Sequence, residues 1–144
     1  MFHQLKGNNV SFDQNKKTAY WKPVETGGLV FTNVYIHPEH PVILKLEGSG
    51  AVELGVISYE PTVLKDSLPE SASKLTDYIF LNDVKIHKRT CTMKVQLDVD
   101  NKEIFTSYGG GHYRQEVDCN KRYWLIADVK YGQVEMKLCN EDTI

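Results

Sequence analysis

The final part of the chain constrains the fold more than any other segment. A near-continuous apolar run extends from Trp124 to Val129 and is followed by Gly132. Apolar residues then alternate strictly with polar ones, at Val134, Met136 and Leu138. This pattern predicts two neighbouring strands joined by a glycine turn, the first buried on both faces and the second on one. We therefore expect a protein built from packed β-sheets.

The same period of two recurs in earlier segments. Their apolar positions are Val30, Val34 and Ile36, then Val42, Leu44 and Leu46, then Val52, Leu54 and Val56, and finally Met93, Val95, Leu97 and Val99. Turn residues separate the segments, at 47–50, 100–102 and 109–111. Prolines and serines between residues 60 and 73 predict a loop with one short helical turn near 62–66. Turns at this spacing predict an all-β antiparallel β-sandwich, one domain over 1–140 with a short polar tail at 141–144.

Composition excludes several classes of protein. The formal net charge of -2 provides no basic field, so we expect no nucleic-acid partner. No apolar stretch is long enough for a transmembrane segment, and the start of the chain does not resemble a signal peptide. The cysteines are odd in number and widely spaced, at Cys91, Cys119 and Cys139, which favours reduced thiols and a cytoplasmic location.

The sequence does not indicate an enzyme or a cofactor-binding protein. It contains no G-x-S-x-G elbow and no local signature of a cysteine protease. His37 and His40 are close in sequence, but Pro38 predicts a turn and no third clustered ligand is evident, so we expect no metal site. The glycines at 109–111 join two strand-like segments rather than a strand and a helix, which argues against phosphate binding. We expect no cofactor.

The residues around this glycine run are candidates for partner binding. Aromatic and arginine side chains of this kind are common in interface hot spots. The glycine run is consistent with a flexible hairpin tip and also with a recognition loop. The candidates are Tyr108, Gly110, His112, Tyr113 and Arg114, with Tyr59 and Glu60 from the loop after Ser58. We expect these loops to gather at one end of the sandwich, where rigid strands present them to a protein or peptide ligand.

Two other binding functions remain open. Weak contact with anionic lipid is one, because each lysine or arginine near such a surface contributes roughly 1 kcal/mol of attraction. Its candidate residues are Lys16, Lys17, Lys85, Lys88 and Arg89, which are also typical of a solvated turn or a lysine-protected edge strand. The other is a sandwich lectin in which Trp21 or Trp124 stacks on a sugar.

Two residues interrupt the apolar pattern and are interpreted as structural. Gly55 lies within an alternating strand, which indicates close approach of another backbone or of a large aromatic ring. Asp128 lies within the apolar run before Gly132. Its carboxylate is predicted to accept hydrogen bonds from backbone N–H groups of the turn that follows.

Four separated blocks match the order and spacing of a known module. The first contains Phe2, Gly7, Asn8, Asn9, Thr18 and Ala19, and the second is Gly28, Leu29, Val30 and Phe31. The third contains Ile36, Pro41, Val42, Leu44, Leu46, Leu54, Gly55, Val56, Ser58, Pro61, Leu64, Leu68 and Pro69. The fourth runs from Trp124 through Asp128 and Val129 to Gly132, with Lys130 inserted at a position that predicts a bulge. Together these blocks resemble the neuralized homology repeat of Neuralized-like proteins over nearly the whole chain.

The resemblance implies both a fold and a function. It implies a β-sandwich of the concanavalin/SPRY type that acts in protein–protein recognition, with some members also binding phosphoinositides. Neuralized proteins use such modules to hold short cytoplasmic segments of their ligands for ubiquitination. Because this chain has no zinc RING pattern, the resemblance implies the substrate-binding or adaptor part of a ubiquitin ligase. That step rests on analogy, since a fold does not establish a function.

Overall fold

A computed structural model describes residues 1–22, 28–109 and 111–139. Within these ranges the chain forms nine strands and two short 3₁₀ helices. The strands are β1 Phe2–Lys6, β2 Val10–Phe12, β3 Thr18–Trp21, β4 Leu29–Thr32, β5 Val42–Ile57, β6 Ile79–Asp98, β7 Glu103–Tyr108, β8 Gly111–Glu116 and β9 Trp124–Leu138. The 3₁₀ helices are Pro61–Leu64 and Ala72–Lys74. The predicted all-β class is confirmed, and the predicted tail at 141–144 lies outside the described residues.

The strands form one antiparallel sheet in the order β1-β4-β9-β5-β6-β7-β8. Strand β9 pairs with β5 along its whole length. It also pairs with β4 near Asp128 and with β3 near Lys137, and β2 pairs with β3. Three long strands, β5, β6 and β9, therefore form the framework on which the shorter strands are arranged.

The long strands fold the sheet over on itself. Tyr108 pairs with Met93 in β6, yet its hydroxyl lies 3.4 Å from the carbonyl oxygen of Asp83, which is also in β6. Ten residues of straight strand would span about 33 Å. Strand β6 must therefore fold back, so that its two halves lie in facing layers. Buried residues of both halves, including Val84 and Met93, belong to one core, and the predicted sandwich is confirmed.

Glycines allow the strands to cross between the layers without a break. We call this place the sheet bend and define it by Gly48, Gly50 and Gly132. Gly48 has a φ of +116° and Gly132 a φ of +95°, which L side chains rarely adopt. A Cβ on Gly132 would meet the backbone of Ser49, and one on Gly50 would meet the carbonyl oxygen of Tyr131. The glycines are thus required where two backbones approach closely.

The prediction of a glycine turn near Gly132 is wrong. Residues 124–138 form one strand, and residues 42–57 also form one strand rather than two segments separated by a turn at 47–50. The predicted burial is confirmed, since residues 125–129 are buried and the later apolar residues alternate with more exposed ones. The predicted bulge is confirmed as well, because Ala51 pairs with Tyr131 and Val52 with Val129, which leaves Lys130 between the two pairs.

A segment that we call the outer strap, residues 58–78, covers the outer face of one layer. It contributes Ala72 and Leu75 to a second apolar cluster, which also contains Leu29, Phe31, Ile57 and Ile126. This cover explains why β4 and the first half of β9 are apolar on both faces. The predicted loop with one helical turn is confirmed by the helix Pro61–Leu64, and the strap also contains the second helix.

Polar contacts attach the outer strap to the sheet. The hydroxyl of Tyr78 donates to Glu53 Oε2 at 2.7 Å, and its ring lies where a Cβ on Gly55 would be, so the interpretation of Gly55 is confirmed. Asp128 Oδ2 accepts the N–H of Ala72 at 2.9 Å, and Lys130 Nζ lies 3.8 Å from the same oxygen. Asp128 is therefore structural as predicted. The predicted partner was wrong, because the carboxylate holds the strap rather than the turn after it.

Burial and neighbouring charges shift the pKa values of Asp128 and Lys130. Burial raises the pKa of Asp128 above its usual range, although the Ala72 N–H and the Lys130 ammonium act in the opposite direction. Burial by itself would lower the pKa of Lys130, but a hydrogen bond to Glu53 and the charge of Asp128 outweigh it, and the pKa of Lys130 rises. The Lys130 ammonium thus lies between two carboxylates, 3.2 Å from Glu53 Oε1.

Candidate functional site

The predicted glycine turn between β7 and β8 is present, and we call these two strands with their connection the glycine hairpin. Gly109 has a φ of +52°, and no atom lies within 4 Å of the position that a Cβ would occupy. Candidate residue Gly110 lies outside the described residues. The tip of the hairpin is therefore open around Gly109, unlike the crowded sheet bend.

One face of the glycine hairpin carries two stacked tyrosines. The rings of Tyr108 and Tyr113 are 5.7 Å apart and nearly parallel, at 13°. Their hydroxyl oxygens are 3.4 Å apart. This hydrogen bond, together with burial, raises the pKa of Tyr108 to about 12. Tyr108 also packs against the main core, whereas Tyr113 is 42% exposed. The ring of Tyr113 thus stacks on a partly buried tyrosine and stays accessible itself.

The opposite face carries a second prearranged group. His112 stacks on Phe105 with ring centroids 5.3 Å apart, and the guanidinium carbon of Arg114 lies 4.6 Å from the centroid of the same ring. Arg114 Nη1 is also 3.5 Å from a Glu103 carboxylate oxygen and 3.8 Å from one of Asp98. The candidates on β8 therefore divide between two faces, each ordered by contacts with β7.

The backbone of β8 is open along its outer edge, because β8 ends the strand order of the described sheet. Val117 donates its N–H back to the carbonyl oxygen of Lys102 at 3.0 Å. Since alternate residues of a strand direct their backbone groups to the same side, those of His112 and Arg114 point away from β7. The carbonyl oxygen of Glu116 also points outward but accepts the side-chain amide of Gln115 at 3.1 Å. The outward-pointing backbone groups of β8 that remain are therefore those of His112 and Arg114, with the N–H of Glu116.

The other two partner-binding candidates belong to the outer strap. The hydroxyl of Tyr59 donates to the carbonyl oxygen of Thr76 at 3.0 Å. Glu60 Oε1 accepts the hydroxyl of Thr62 at 3.3 Å, and Thr62 in turn lies 3.2 Å from the Nε2 atom of His3. These contacts stabilise the strap. The described candidates thus form two groups, one on the strap and one on the glycine hairpin.

Sequence reasoning missed a third cluster, which we call the aromatic end: Tyr35, His37, His40, Arg122 and Trp124. The ring of Tyr35 meets that of Trp124 edge-on, with centroids 5.9 Å apart, and the guanidinium of Arg122 lies 4.8 Å from the Tyr35 centroid. The ring of His37 is 6.1 Å from that of Tyr35. The sequence contains aromatic and charged residues two apart at 35/37 and at 122/124, but only the fold brings these two pairs together.

The two tryptophans do not suit the lectin alternative equally. Trp21 is 3% exposed, and its indole N–H donates to the carbonyl oxygen of Gly28 at 2.7 Å. A sugar cannot stack on a ring in this position, so that part of the interpretation is wrong. Trp124 is only partly buried, but it packs against the outer apolar cluster and against Tyr35.

The five basic candidates for lipid contact also fall into two groups. Lys85 and Arg89 line a shallow groove near the sheet bend, together with His87, Tyr131 and Gly132. Lys88 is close by in the chain, and its N–H donates to Ser49 Oγ at 2.8 Å. Lys16 and Lys17 lie in the turn before β3. Strands β9 and β5 separate β3 from β6, so the five basic residues do not lie side by side on neighbouring strands.

The expectation that no third ligand accompanies His37 and His40 is wrong. The turn that contains Pro38 brings in Glu39, and one potential ligand atom from each of these three residues lies within 4.8 Å of the others. Separately, the described ranges contain no helix with the length and apolar character needed to cross a bilayer.

The sheet folded over on itself, with candidate residues on the glycine hairpin and on the outer strap, defines the class as an antiparallel β-sandwich. Over residues 2–139 the sequence matches the family model described as Neuralized. The chain therefore belongs to the Neuralized family, and the resemblance noted from the sequence is confirmed. No curated protein sequence matches it significantly.

Solved structures agree with this assignment at the level of the fold. The crystal structure of the Drosophila melanogaster neuralized NHR1 domain has a TM-score of 0.76 at 14% identity, with 96% of each chain covered. The solution structure of the NHR domain in Neuralized from the same organism has a TM-score of 0.75 at 13% identity, covering 99% of this chain and 92% of that one. The SPRY domain of human HERC1 has a TM-score of 0.59 at 10% identity, covering 96% and 97%.

Proposed function

We propose that this domain is a non-catalytic protein-interaction module that binds a short, extended segment of a partner protein along β8. Membership of the Neuralized family and the SPRY-like fold support the general class of function. The observation that carries the specific proposal is the open outer edge of β8, flanked by ordered side chains on both faces.

An extended peptide can add to such an edge as a further strand. Its backbone would form hydrogen bonds with the outward groups of His112 and Arg114, which supplies affinity. Its side chains would point alternately to the two faces of the sheet, which supplies selectivity. One set would meet the exposed ring of Tyr113, and the other would meet His112 and the Arg114–Phe105 pair. Because Glu103 and Asp98 already neutralise much of Arg114, we expect shape and hydrogen bonding to matter more than charge.

The cellular role that we propose is supported by family membership alone. The domain would act in the cytoplasm as the substrate-binding or adaptor part of a ubiquitin ligase. The partner segment that it holds would then be presented to a protein that carries the transfer chemistry. Co-expression with a tagged ubiquitin would test this role, since a bound partner should become ubiquitinated only when the domain is present.

The binding mode can be tested with peptides selected from a displayed random library on the intact chain. His112→Pro and His112→Ala both remove the imidazole, but only proline removes the outward N–H and places a ring on the edge. We expect the proline variant to bind selected peptides roughly 2- to 12-fold more weakly than the alanine variant, since one lost hydrogen bond is worth roughly 0.5–1.5 kcal/mol. Equal binding by the two variants, or failure to select any peptide, would count against the proposal.

Side-chain recognition needs its own variant. Replacing Tyr113 and Arg114 together with alanine should weaken peptide binding while leaving the melting temperature within a few degrees, since exposed substitutions usually change stability by less than about 0.5 kcal/mol each. Tyr35→Ala at the aromatic end is the matched control and should retain peptide binding. If the control loses binding and the hairpin variant keeps it, the partner site lies at the aromatic end instead.

Weak binding to an anionic membrane is a second candidate function, favoured by the groove that Lys85 and Arg89 share. Two or three cations contribute only roughly 1 kcal/mol each, and salt screens the attraction over about 8 Å at physiological ionic strength. Sedimentation with phosphoinositide-containing vesicles should therefore fall in high salt and on replacing Lys85 and Arg89 with glutamate. The same change at Lys16 and Lys17 is the control and should have the smaller effect. Binding that persists in high salt would exclude this electrostatic mechanism.

A further inference from the structure

The turn at the aromatic end holds three potential metal ligands in a defined arrangement. His37 and His40 form a β-bridge, in which the N–H of His40 donates to the carbonyl oxygen of His37 at 3.2 Å. Their rings are 5.4 Å apart. Pro38 restricts the backbone between them because its φ is fixed near −65°. The turn is thus closed by backbone contacts, and the ligand side chains project from it.

The distances between the three donor atoms are not far from those between the ligand atoms of a bound metal ion. Ligands at about 2.0–2.2 Å from a tetrahedral ion are roughly 3.3–3.6 Å from one another. The donor atoms of His37, Glu39 and His40 lie within 4.8 Å of one another, so rotations of partly or fully exposed side chains would close the difference. We propose that these three residues bind a divalent transition-metal ion of the zinc class.

The donor types determine which ions are suitable. Two imidazole nitrogens and one carboxylate oxygen match the preferences of zinc and its neighbours, whereas calcium and magnesium prefer sets made only of oxygen. Three protein ligands leave at least one coordination position for water or for a ligand from another molecule. The site is therefore an open one rather than a closed structural site.

Neighbouring residues affect metal binding at His37 in two ways. The Tyr35 ring lies beside His37 and is itself held by Trp124 and Arg122, which restricts the orientation of the imidazole. However, His37 Nδ1 accepts the N–H of Glu39 at 3.2 Å. An ion that binds Nδ1 displaces this hydrogen bond, and one that binds Nε2 requires the ring proton to leave that atom. The Arg122 cation beyond Tyr35 also opposes a second positive charge, so we expect reversible binding.

Calorimetric titration of the intact chain with Zn²⁺, with Co²⁺ absorption as a second readout, tests the proposal. Cys119 and Cys139 are free thiols at or near the surface, so the experiment belongs in a Cys119→Ser/Cys139→Ser background. We expect one ion to bind, and His37→Ala or His40→Ala to weaken it by at least the roughly 10–100-fold that loss of an outer-shell partner costs. Glu39→Gln should weaken binding less than either histidine change.

His87→Ala is the matched control, because His87 is an exposed histidine on β6, away from this turn. It should leave the affinity unchanged, and the apo melting temperatures of all variants should agree. The proposal is overturned if no ion binds in the Cys119→Ser/Cys139→Ser background, or if the double variant His37→Ala/His40→Ala binds as tightly as its parent. This site is independent of peptide binding at β8, so either result leaves the proposed function untouched.

Discussion

The sheet bend and the glycine hairpin are both rich in glycine, but the space around their glycines differs. At the bend, every added Cβ would meet backbone atoms of the neighbouring strand. At the hairpin tip, Gly109 faces open space. The bend thus requires glycine for its small size and, at Gly48 and Gly132, for a positive φ as well, whereas the tip requires it for its φ alone. The comparison indicates that stability depends on the bend and that the tip is free to vary.

The most severe test of this comparison is a methyl group at the bend. Gly132→Ala combines a backbone overlap with a φ that alanine tolerates poorly, so we expect a loss of roughly 3 kcal/mol or more in unfolding free energy. Gly50→Ala should be nearly as damaging, because its Cβ would meet the Tyr131 carbonyl oxygen. Chemical denaturation measures both. A loss below about 1 kcal/mol would mean that the bend relaxes easily.

The outer strap extends the comparison to a region that depends on a buried carboxylate. Asp128→Ala leaves the Ala72 N–H without its acceptor, and we expect a loss of about 1–3 kcal/mol. Asp128→Asn keeps an acceptor oxygen and should be much milder. If both variants unfold at the same denaturant concentration, the hydrogen bond to Ala72 does not stabilise the strap.

Comparing the wild type with Asp128→Asn also tests how the stability depends on pH. The pKa of Asp128 is raised in the folded state, mainly by burial, so the folded protein holds this proton more tightly than the unfolded chain. Ionisation therefore costs stability as the pH rises above the ordinary value of 3.8 and through the folded pKa. Over that range the free energy of unfolding of the wild type should fall relative to that of Asp128→Asn, as measured by denaturation at a series of pH values. The opposite trend would show that Lys130 and the Ala72 N–H dominate.

Adding a methyl group at Gly55 should cost less than at the sheet bend and more than at the hairpin tip, because the neighbour of Gly55 is a side chain. A methyl group there must displace the Tyr78 ring and weaken its hydrogen bond to Glu53, and we expect a loss of about 1–2 kcal/mol. The same change in a Tyr78→Ala background should cost much less, since the obstacle is gone. Equal losses in the two backgrounds would show that backbone strain rather than the ring requires glycine.

The smallest effect is expected at the hairpin tip. Gly109→Ala meets no atom and incurs only the cost of a left-handed φ, about 1 kcal/mol. Its unfolding free energy should therefore fall by no more than about 1 kcal/mol. A loss as large as that of Gly132→Ala would end the distinction between bend and tip.

The sequence predicts the faces of the strands well, because alternation along β9 and β5 records which residues face the core. It does not predict their continuity. A glycine that bends a strand and a glycine that turns a chain look the same until the partner strand is known, and the pairing of Gly50 with Gly132 supplies that information only in the fold.

The candidate site was partly predictable for a similar reason. His112, Tyr113 and Arg114 follow a glycine run directly, so their exposure could be inferred locally. Tyr59 lies on the strap, and Tyr35 meets Trp124 only through distant pairing. Such contacts between residues far apart in the chain leave no local pattern.

Strands β5, β6 and β9 each pass through both layers. Cutting the polypeptide anywhere between residues 42 and 138 therefore leaves neither fragment with a complete layer of its own. Such a domain has no natural halves, and we expect it to be duplicated, exchanged between proteins or lost only as a whole.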